Sequence, residues 1–421
     1  GVESLMSISP AGRSRSFDIV IVGAGMVGSL LAALLRDSGL SVLLLERTPV
    51  TAPDRDANFE PRVSALTRAS ENLLRSVGAW AAVEACRSCA YTGMTVWDAD
   101  GSGRVDFSAS AIGESHLGVL VENRLLQSAL TDVAARADNV TLECPAQLTH
   151  LEKMPQGWQL TLGDGAIVQA MLVIGADGAQ SAVREMIGVD TRNTDYRQRA
   201  IVTTVRTEKP HAFTAWQRFS ATGPLAFLPL LTAEGDDHFC SIVWSQDEPE
   251  AQRLMALDDA AFMREIGLAF EHTLGAIESV DPRYSFPLQA RHATNYVRDG
   301  IALIGDAAHA IHPLAGQGVN LGLLDAGVLA EEILRARTRN IAWWGEATLS
   351  RYVRRRRAHN TLILNSMTGF QRLFASHNPL LVVARNFGMR ATNSLQPVKQ
   401  ELARVAMGLG GDLPIAARSI T

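Results

Sequence analysis

The stretch Asp18-Ile-Val-Ile-Val22, followed at once by Gly23-Ala-Gly25-Met-Val-Gly28, decides the fold. The first five residues form an apolar, β-branched run, which predicts a buried strand. The helix formers Leu and Ala dominate residues 29–36, and residues 41–45 form a second apolar run that ends at Glu46. Strand, glycine turn, helix and strand together predict one βαβ unit of the kind that binds dinucleotides.

Each glycine of this turn has its own physical reason. Gly23 permits the tight turn, Gly25 lets the backbone approach a pyrophosphate, and Gly28 lets the helix pack on the strand. Met26 and Val27 lie at the helix start, where unpaired N–H groups and the helix dipole attract an anion. Glu46, with Arg47 after it, ends the next strand, where a carboxylate accepts hydrogen bonds from ribose hydroxyls. The motif predicts a dinucleotide site without deciding between FAD and NAD.

Two more apolar runs end in an acidic residue. Ala170-Met-Leu-Val-Ile-Gly175 leads into Asp177, and Ile301-Ala-Leu-Ile304 leads into Asp306. Both runs are apolar throughout, which is typical of buried parallel strands, and ligands bind at the carboxyl ends of such strands. The loop Pro313-Leu-Ala-Gly316-Gln-Gly318-Val-Asn320 then opens a helix, and its small residues suit a flat polar ring laid against the backbone.

The remaining segments have other patterns. Residues 91–122 and 200–290 alternate apolar and polar positions, which predicts antiparallel strands, while 248–274 and 345–407 are helical in pattern. We therefore expect an α/β protein, α+β overall. A discontinuous nucleotide-binding domain (17–90, 123–190 and 291–345) would carry an inserted β-rich substrate domain (91–122 and 191–290) and a helical C-terminal region (346–421).

Composition excludes several other classes. The 421 residues include 47% hydrophobic and 20% charged residues, which is typical of a globular chain of two or three domains. A net charge of −5 argues against broad nucleic-acid binding. Cys86 and Cys89 are more simply two packed thiols than a redox pair, and His309 and His312 lack a third ligand, so we expect no metal. We expect no transmembrane helix.

In this order and spacing the three motifs resemble the class A FAD-dependent aromatic hydroxylases, which have the para-hydroxybenzoate hydroxylase fold. Within that class the resemblance is to the ubiquinone-biosynthesis hydroxylases, most of all the bacterial 2-polyprenylphenol hydroxylase branch, over residues 17–413. It rests on Arg62-Val-Ser-Ala-Leu66, Val121-Glu-Asn-Arg124, Gly305-Asp-Ala-Ala-His309 and residues 312–320.

The resemblance implies FAD and transfers roles by motif. It places the pyrophosphate on Gly23, Gly25 and Gly28, and the adenosine ribose on Glu46. The other implied contacts are Arg62 and Arg124 with phosphate or ribitol, Gln147 with adenine, Asp177 in the motif that links FAD to the nicotinamide site, Asp306 with ribitol or phosphate, and Gly316, Gln317, Gly318, Val319 and Asn320 with the isoalloxazine.

The resemblance also implies the reaction. NAD(P)H reduces FAD, O₂ adds at flavin C4a to give a hydroperoxide, and one oxygen passes to the ring of a polyprenylated phenol in ubiquinone biosynthesis. Pro313 would shape the oxygen pocket, and His312 would assist phenol ionisation or make a structural hydrogen bond. The alternatives are a hydroxylase of a soluble aromatic acid and a flavoprotein scaffold without turnover.

The substrate and partners are less closely specified. Phe227, Leu228, Pro229 and Trp244 are apolar enough to line a pocket for an isoprenoid tail, although ordinary sheet core is an equal interpretation. Pro379-Leu-Leu-Val-Val383, with Arg385 and Arg390 nearby, would contact membrane, a partner or the protein's own core. We expect a cytoplasmic protein at or near the inner membrane, other ubiquinone-biosynthesis proteins as partners, and a homo-oligomer as one option.

Overall fold

The computed structural model describes residues 14–311 and 318–418. In that part of the chain the strands are β1 (Ser14–Val22), β2 (Val42–Leu45), β3 (Val63–Thr67), β4 (Cys89–Tyr91), β5 (Gly93–Asp98), β6 (Arg104–Ser108), β7 (Gly118–Glu122), β8 (Val140–Glu143), β9 (Leu148–Lys153), β10 (Trp158–Leu162), β11 (Ile167–Gly175), β12 (Thr191–Thr207), β13 (Thr214–Ser220), β14 (Gly223–Leu230), β15 (Phe239–Asp247), β16 (Ile277–Val280), β17 (Tyr284–Ala293), β18 (Val297–Arg298), β19 (Ile301–Leu303) and β20 (His309–Ile311). The helices are α1 (Met26–Leu34), α2 (Arg68–Ser76), α3 (Trp80–Cys86), α4 (Asn123–Arg136), α5 (Ala182–Met186), α6 (Glu248–Ala256), α7 (Asp259–Ala269), α8 (Gly318–Thr338), α9 (Glu346–Ala375), α10 (Pro379–Ser394) and α11 (Gln396–Ala406).

The first sheet has the order β18-β19-β11-β1-β2-β8, and its strands β19, β11, β1, β2 and β8 run parallel. Its central strands are buried along their apolar runs: α1 packs on β1 and β2, α4 packs on β8, and both α4 and α8 pack against α1. Val22 is paired with both Leu45 and Gly175, and Gly175 is paired with Leu303. The carboxyl ends of β1, β2, β11 and β19 therefore meet at one edge.

The second sheet has the order β20-β17-β12-β15-β14-β13-β5-β6, with β16 on β12, and is antiparallel except for the β13–β5 pair. One face packs against α6 and α7, and the other packs toward a third sheet of order β3-β7-β4. The alternation of apolar and polar positions in residues 200–290 predicts these strands.

The described helices and strands confirm the predicted fold class. The C-terminal region consists of α9, α10 and α11, and the sequence breaks near Pro379 and Pro397 are the starts of the last two. Two strands pair outside the domain to which the sequence pattern assigned them. β7, from the predicted substrate segment 91–122, pairs with β3 of the nucleotide-binding segment 17–90. β20, from the nucleotide-binding segment 291–345, pairs with β17 of the second sheet. Among the described residues, no helix has the length and apolar character that crossing a bilayer requires.

Candidate active site

The three glycines of the turn after β1 differ in what an added side chain would meet. Gly23 has φ +108°, and a Cβ added there would lie 2.3 Å from the Ala176 carbonyl oxygen. A Cβ at Gly28 would lie 1.9 Å from the Gly23 carbonyl oxygen, so only glycine lets α1 approach the turn. A Cβ at Gly25 would meet no protein atom within 4 Å. The space over Gly25, at the N-terminus of α1, is therefore open where a pyrophosphate would lie.

The three sequence motifs converge on this turn. Ala176, which precedes Asp177, lies against Gly23, and its N–H donates to the Val22 carbonyl at 2.9 Å. Val27 packs against Gly305, whose added Cβ would lie 3.2 Å from it, and against Gly322 of α8. Asp177 and Asp306 thus follow neighbouring parallel strands at the same edge of the first sheet.

Glu46 ties the end of β2 to the glycine turn. Its carboxylate accepts hydrogen bonds from the N–H of Ala24 at 2.8 Å, of Arg47 at 3.0 Å and of Thr48 at 3.2 Å. A carboxylate has about four acceptor positions, so hydrogen bonds to a ribose can be added to these three. The carboxylate of Glu46 and its half-buried position fit a role in binding the adenosine ribose.

A cavity of about 380 Å³ opens beside Glu46. The Ala146 N–H donates to the Glu46 carbonyl at 2.7 Å, which holds the two chain segments together. The cavity wall includes Gln147, which is predicted to lie beside the adenine, and Arg47, which is predicted to contact the cofactor. Its full lining is Arg47, Thr48, Glu143, Pro145, Ala146, Gln147, Leu162, Gly163 and Asp164.

Arg62 and Arg124 are brought together by the β3–β7 pair, where the Asn123 N–H donates to the Arg62 carbonyl at 3.0 Å. Both side chains are exposed. Arg62 lies over the Phe286 ring at 5.0 Å, and Arg124 donates to the carbonyl and hydroxyl of Thr51, each at 3.1 Å. A bound phosphate would have to compete with these contacts, so their role as cofactor ligands stays a prediction.

Asp177 caps α5 in this structure. Its carboxylate accepts hydrogen bonds from the Ser181 hydroxyl and from the Val183 N–H at 3.1 Å. Arg184 of the same helix is buried and donates to the carbonyls of Ala179 at 2.7 Å and Ala307 at 3.0 Å. Arg184 therefore joins the loop after β11 to the loop after β19. Sequence reasoning missed this residue, although a capping Ser three positions before it predicts a helix start there.

Asp306 lies at the crevice formed by these loops. Asp306 is accessible to solvent, but the surrounding protein removes part of its hydration; this desolvation, with Asp325 nearby, raises its pKa, while His309 opposes the shift. His309 is buried and pairs through Nε2 with the Asp325 carboxylate. That contact assigns His309 a structural role.

A buried ionic network lies behind this loop, and sequence reasoning missed it. Asp325 of α8 accepts hydrogen bonds from the Gly305 N–H at 2.9 Å and from Arg356 Nε of α9 at 2.8 Å, in addition to His309. Burial alone would raise the pKa of Asp325, but the nearby charges of His309 and Arg356 outweigh it and lower the pKa to about 2. Asp325 is the one acidic residue within the apolar stretch 319–330 of α8, which is the signal that could have found it.

The start of α8 is described from Gly318 onward. The Asn320 side chain accepts from the Thr67 N–H at 3.0 Å and the Ser70 hydroxyl at 2.6 Å, and donates to the Ala65 carbonyl at 2.9 Å. It thus anchors α8 to β3 and α2. Gly318 and Val319 form the first turn of the helix, and the predicted residues His312, Pro313, Gly316 and Gln317 lie outside the described part of the chain.

The four predicted substrate residues are separated by the pleat of the second sheet. Phe227 stacks on Phe270 at 3.6 Å, and Trp244 meets Phe262 at 5.9 Å, so both face α6 and α7. Leu228 faces the third sheet, in one cluster with Ala65. Pro229 has the parity of Phe227 in the same strand. Of the four, we retain Leu228 as a candidate for substrate contact, because its face meets the segment bonded to Asn320.

Comparison with known proteins assigns the family. The family model described as FAD binding domain matches residues 16–366. The 3-demethoxyubiquinol 3-hydroxylase of Escherichia coli (strain K12) is 37% identical over 93% of this chain and 98% of its own. Ubiquinone hydroxylase UbiL of Rhodospirillum rubrum is 36% identical over 96% and 93%, and the human mitochondrial ubiquinone biosynthesis monooxygenase COQ6 is 33% identical over 94% of each.

A solved structure has the same fold. The p-nitrophenol 4-monooxygenase PnpA from Pseudomonas putida DLL-E4 superposes with a TM-score of 0.75 over 93% of this chain and 98% of its own, at 19% identity. The glycine turn, the acidic residues that follow β2 and β19, and the open space over Gly25 also fit an FAD molecule. The chain therefore belongs to the FAD binding domain family and is an FAD-dependent monooxygenase of the aromatic hydroxylase class.

Proposed function

We propose that this monooxygenase hydroxylates the ring of a polyprenylated phenol in ubiquinone biosynthesis, with NAD(P)H and O₂ as co-substrates. One observation carries the proposal. Relatives named as ubiquinone-biosynthesis hydroxylases, from bacteria and from human mitochondria, match this chain over more than nine tenths of its length. A match of that length spans both sheets and the helices of the C-terminal region, which supports a shared reaction.

The reaction balances as a monooxygenation. NAD(P)H and a proton supply two electrons and two hydrogens, one oxygen atom of O₂ enters a ring C–H bond as a hydroxyl group, and the other leaves as water. FAD, when bound, supplies the activation of O₂ that no amino-acid side chain provides. The chain's own residues bind and orient the two reactants and exclude water.

Each residue has a proposed role in this arrangement. Gly25 and the N-terminus of α1 bind the pyrophosphate, and Glu46 binds the adenosine ribose. Arg47 and Gln147 line the adenine cavity, while Asp306 binds the ribitol chain or a phosphate. These last roles are supported by the position of the residues at one sheet edge.

The substrate side is proposed from chemistry and from the family. Leu228, Ala226 and Val243 form one apolar face of β14 and β15. Such a face favours a lipophilic ring over a carboxylate, because burying a charge without a partner is costly. His312 and Pro313 stay proposals for the pocket beside the flavin ring.

The test is NAD(P)H oxidation by the flavin-loaded protein with detergent-dispersed polyprenylphenols, with product identified by mass spectrometry. We expect oxidation stimulated by the phenol and one hydroxyl group incorporated per NAD(P)H. If only a soluble aromatic acid stimulated NAD(P)H oxidation, the substrate would be a soluble aromatic acid and not a polyprenylated phenol. FAD binding without stimulation by any phenol would instead support a scaffold.

The partners belong to the same proposal. A substrate of this class resides in the lipid phase, so the protein works at the inner membrane surface beside other ubiquinone-biosynthesis proteins. Association with those proteins, or into a homo-oligomer, is tested by co-purification and by mass measurement in solution.

A further inference from the structure

Helix α10 has its polar and apolar faces reversed with respect to the protein. Arg385 and Asn386 are buried against the protein. Leu380, Val383 and Phe387 point outward and are 80%, 65% and 66% exposed. Their spacing of three and four residues puts them on one side of the helix. A surface helix normally buries its apolar side and exposes its polar side.

Specific contacts hold α10 in this orientation. Arg385 Nε donates to the Asp98 carboxylate at 2.7 Å, and Asn386 donates to the same carboxylate at 2.9 Å. The Asn386 side-chain oxygen accepts from the Gly103 N–H at 2.7 Å. Of the two arginines near the 379–383 run, Arg385 contacts the protein's own core through this buried pair, while Arg390 is exposed. Rotating the helix would leave Asp98 buried without its partner, which is strongly unfavourable.

Helix α11 repeats the arrangement. Val398, Leu402 and Val405 are exposed at spacings of four and three residues, while Ala403 faces the protein and is buried. We call Leu380, Val383, Phe387, Val398, Leu402 and Val405 the tail surface. Large apolar side chains grouped in this way on a soluble protein mark an interaction site.

Helices α10 and α11 carry more exposed basic than acidic side chains although the whole chain is acidic, and Asp106 of the adjacent β6 is an acidic neighbour of Lys399. Arg390 and Arg404 are exposed and Lys399 is half-buried, and Glu401 is the one acidic residue that α10 and α11 carry. The chain as a whole has a net charge of −5. Cations beside an apolar helix face attract anionic lipid headgroups.

We propose that the tail surface docks on an anionic lipid bilayer, with α10 and α11 lying in the interface. The choice of a bilayer over a protein partner rests on the positive charge and on the proposed lipophilic substrate. Met407, which follows α11, is buried in the same apolar cluster as Leu228 and Ala65. The end of α11 is therefore anchored to the apolar cluster that contains Leu228, the candidate for substrate contact.

The test is flotation of the flavin-loaded full chain with vesicles of phosphatidylcholine, with and without phosphatidylglycerol. We expect the wild type to float with the anionic vesicles. The triple variant Leu380→Ser, Val383→Ser, Phe387→Ser should bind at least roughly tenfold more weakly, because each buried large apolar side chain contributes to partition. Arg390→Gln with Arg404→Gln should lose about fivefold per charge at low salt and nothing on neutral vesicles.

The control is Leu268→Ser on α7. Leu268 is 66% exposed, as Phe387 is, but it lies on another surface of the protein. This variant should float as the wild type does. A triple variant that floats equally well, or a wild type that never floats, would overturn the proposal. So would a wild type that is dimeric in solution while the triple variant is monomeric and neither floats, since the surface would then belong to a second copy.

A further measurement separates this proposal from the proposed function. Turnover of a phenol with a short, water-soluble tail should be equal in wild type and triple variant, while turnover of a long-tailed phenol embedded in vesicles should fall in the variant. Vesicle binding without any phenol turnover would keep the docking surface and reject the substrate. Equal turnover of the embedded phenol by both proteins would reject the surface.

Discussion

At the scale of single residues, the glycines of the turn after β1 are not interchangeable. Gly28 has protein backbone where a side chain would go, while Gly25 has open space there. Gly25 also has φ −69° and ψ −167°, which any residue adopts. The protein itself therefore demands glycine at position 28, whereas the ligand demands it at position 25.

This difference predicts opposite outcomes for two valine substitutions. Gly25→Val should give a folded but colourless protein, because the side chain occupies the pyrophosphate space without touching the protein. Gly28→Val should fail to fold stably, because α1 cannot then approach the turn. Flavin absorbance after incubation with excess FAD, and thermal unfolding of the flavin-free protein, measure the two effects. A yellow Gly25→Val protein of normal stoichiometry would contradict the pyrophosphate assignment.

Asp325 predicts a stability effect with a defined pH dependence. Its folded-state pKa of about 2 lies below the ordinary value of 3.8, so its ionised form stabilises the fold. That contribution, about 2 kcal/mol, is present above pH ~4 and is lost as the pH falls toward 2. Asp325→Asn should cost about 3–5 kcal/mol at neutral pH, because Arg356 is then buried without its counter-charge.

Urea unfolding across this pH range measures the Asp325 effect. The control is Asp412→Asn, which breaks the exposed pair with Arg355 and should cost less than about 1 kcal/mol. The buried network would be refuted if Asp325→Asn and Asp412→Asn lost equal free energy of unfolding. It would also be refuted if the difference in free energy of unfolding between wild type and Asp325→Asn did not change below pH ~4.

Some residues of the candidate site can be predicted from their spacing along the sequence, and others cannot. The glycine turn, Glu46 and the acids after β11 and β19 stand at fixed distances along the chain from an apolar strand, so pattern alone finds them. Asp325 and Arg356 meet only because α8 and α9 pack together, and nothing in the spacing of two residues on different helices predicts their contact. Arg184 lies between these cases, since its helix start is predictable but its bond to Ala307 is not.

At the scale of elements, successive side chains of β14 lie on opposite faces of the second sheet. One face packs in the core with α6 and α7, and the other carries the candidate for substrate contact. The alternation of the strand shows that Phe227 and Leu228 face opposite ways, but not which of them faces the cofactor domain. Only the packing of α6 and α7 over one face decides this, and it places Phe227 in that core. Phe227 and Trp244 lie in the sheet core, which was the alternative interpretation of these residues, and Leu228 stays a candidate for substrate contact.

Two mild substitutions test this division. Leu228→Met keeps the volume and should change the KM for the phenol severalfold, because the altered side chain faces the proposed pocket. Phe227→Leu should leave KM and kcat near wild type while lowering stability by about 1–3 kcal/mol through loss of the stacked pair with Phe270. Steady-state kinetics and thermal unfolding give both readouts. A KM change in Phe227→Leu alone would place the pocket on the other face.

At the scale of the whole molecule, the cofactor domain is assembled from distant pieces of chain. Residues 23–28, 176–178 and 305–308 supply the loops at one edge of the first sheet, and the second sheet is formed largely by what lies between them. The order of the motifs allowed this arrangement to be predicted, because parallel strands need long connections. The partners of β7 and β20 were not predictable, since each pairs with a strand that the sequence pattern assigned to the other domain.

The late position of α8 has a consequence during synthesis. The ribosome makes the pyrophosphate turn first and the helix that carries Asp325 and Asn320 only after most of the chain has emerged. A nascent polypeptide that stops before α8 contains Gly305 but lacks Gly322, Asn320 and Asp325, so the residues that hold the Gly305 loop against the glycine turn are missing. Stable flavin binding is therefore expected to require a chain that extends through α8.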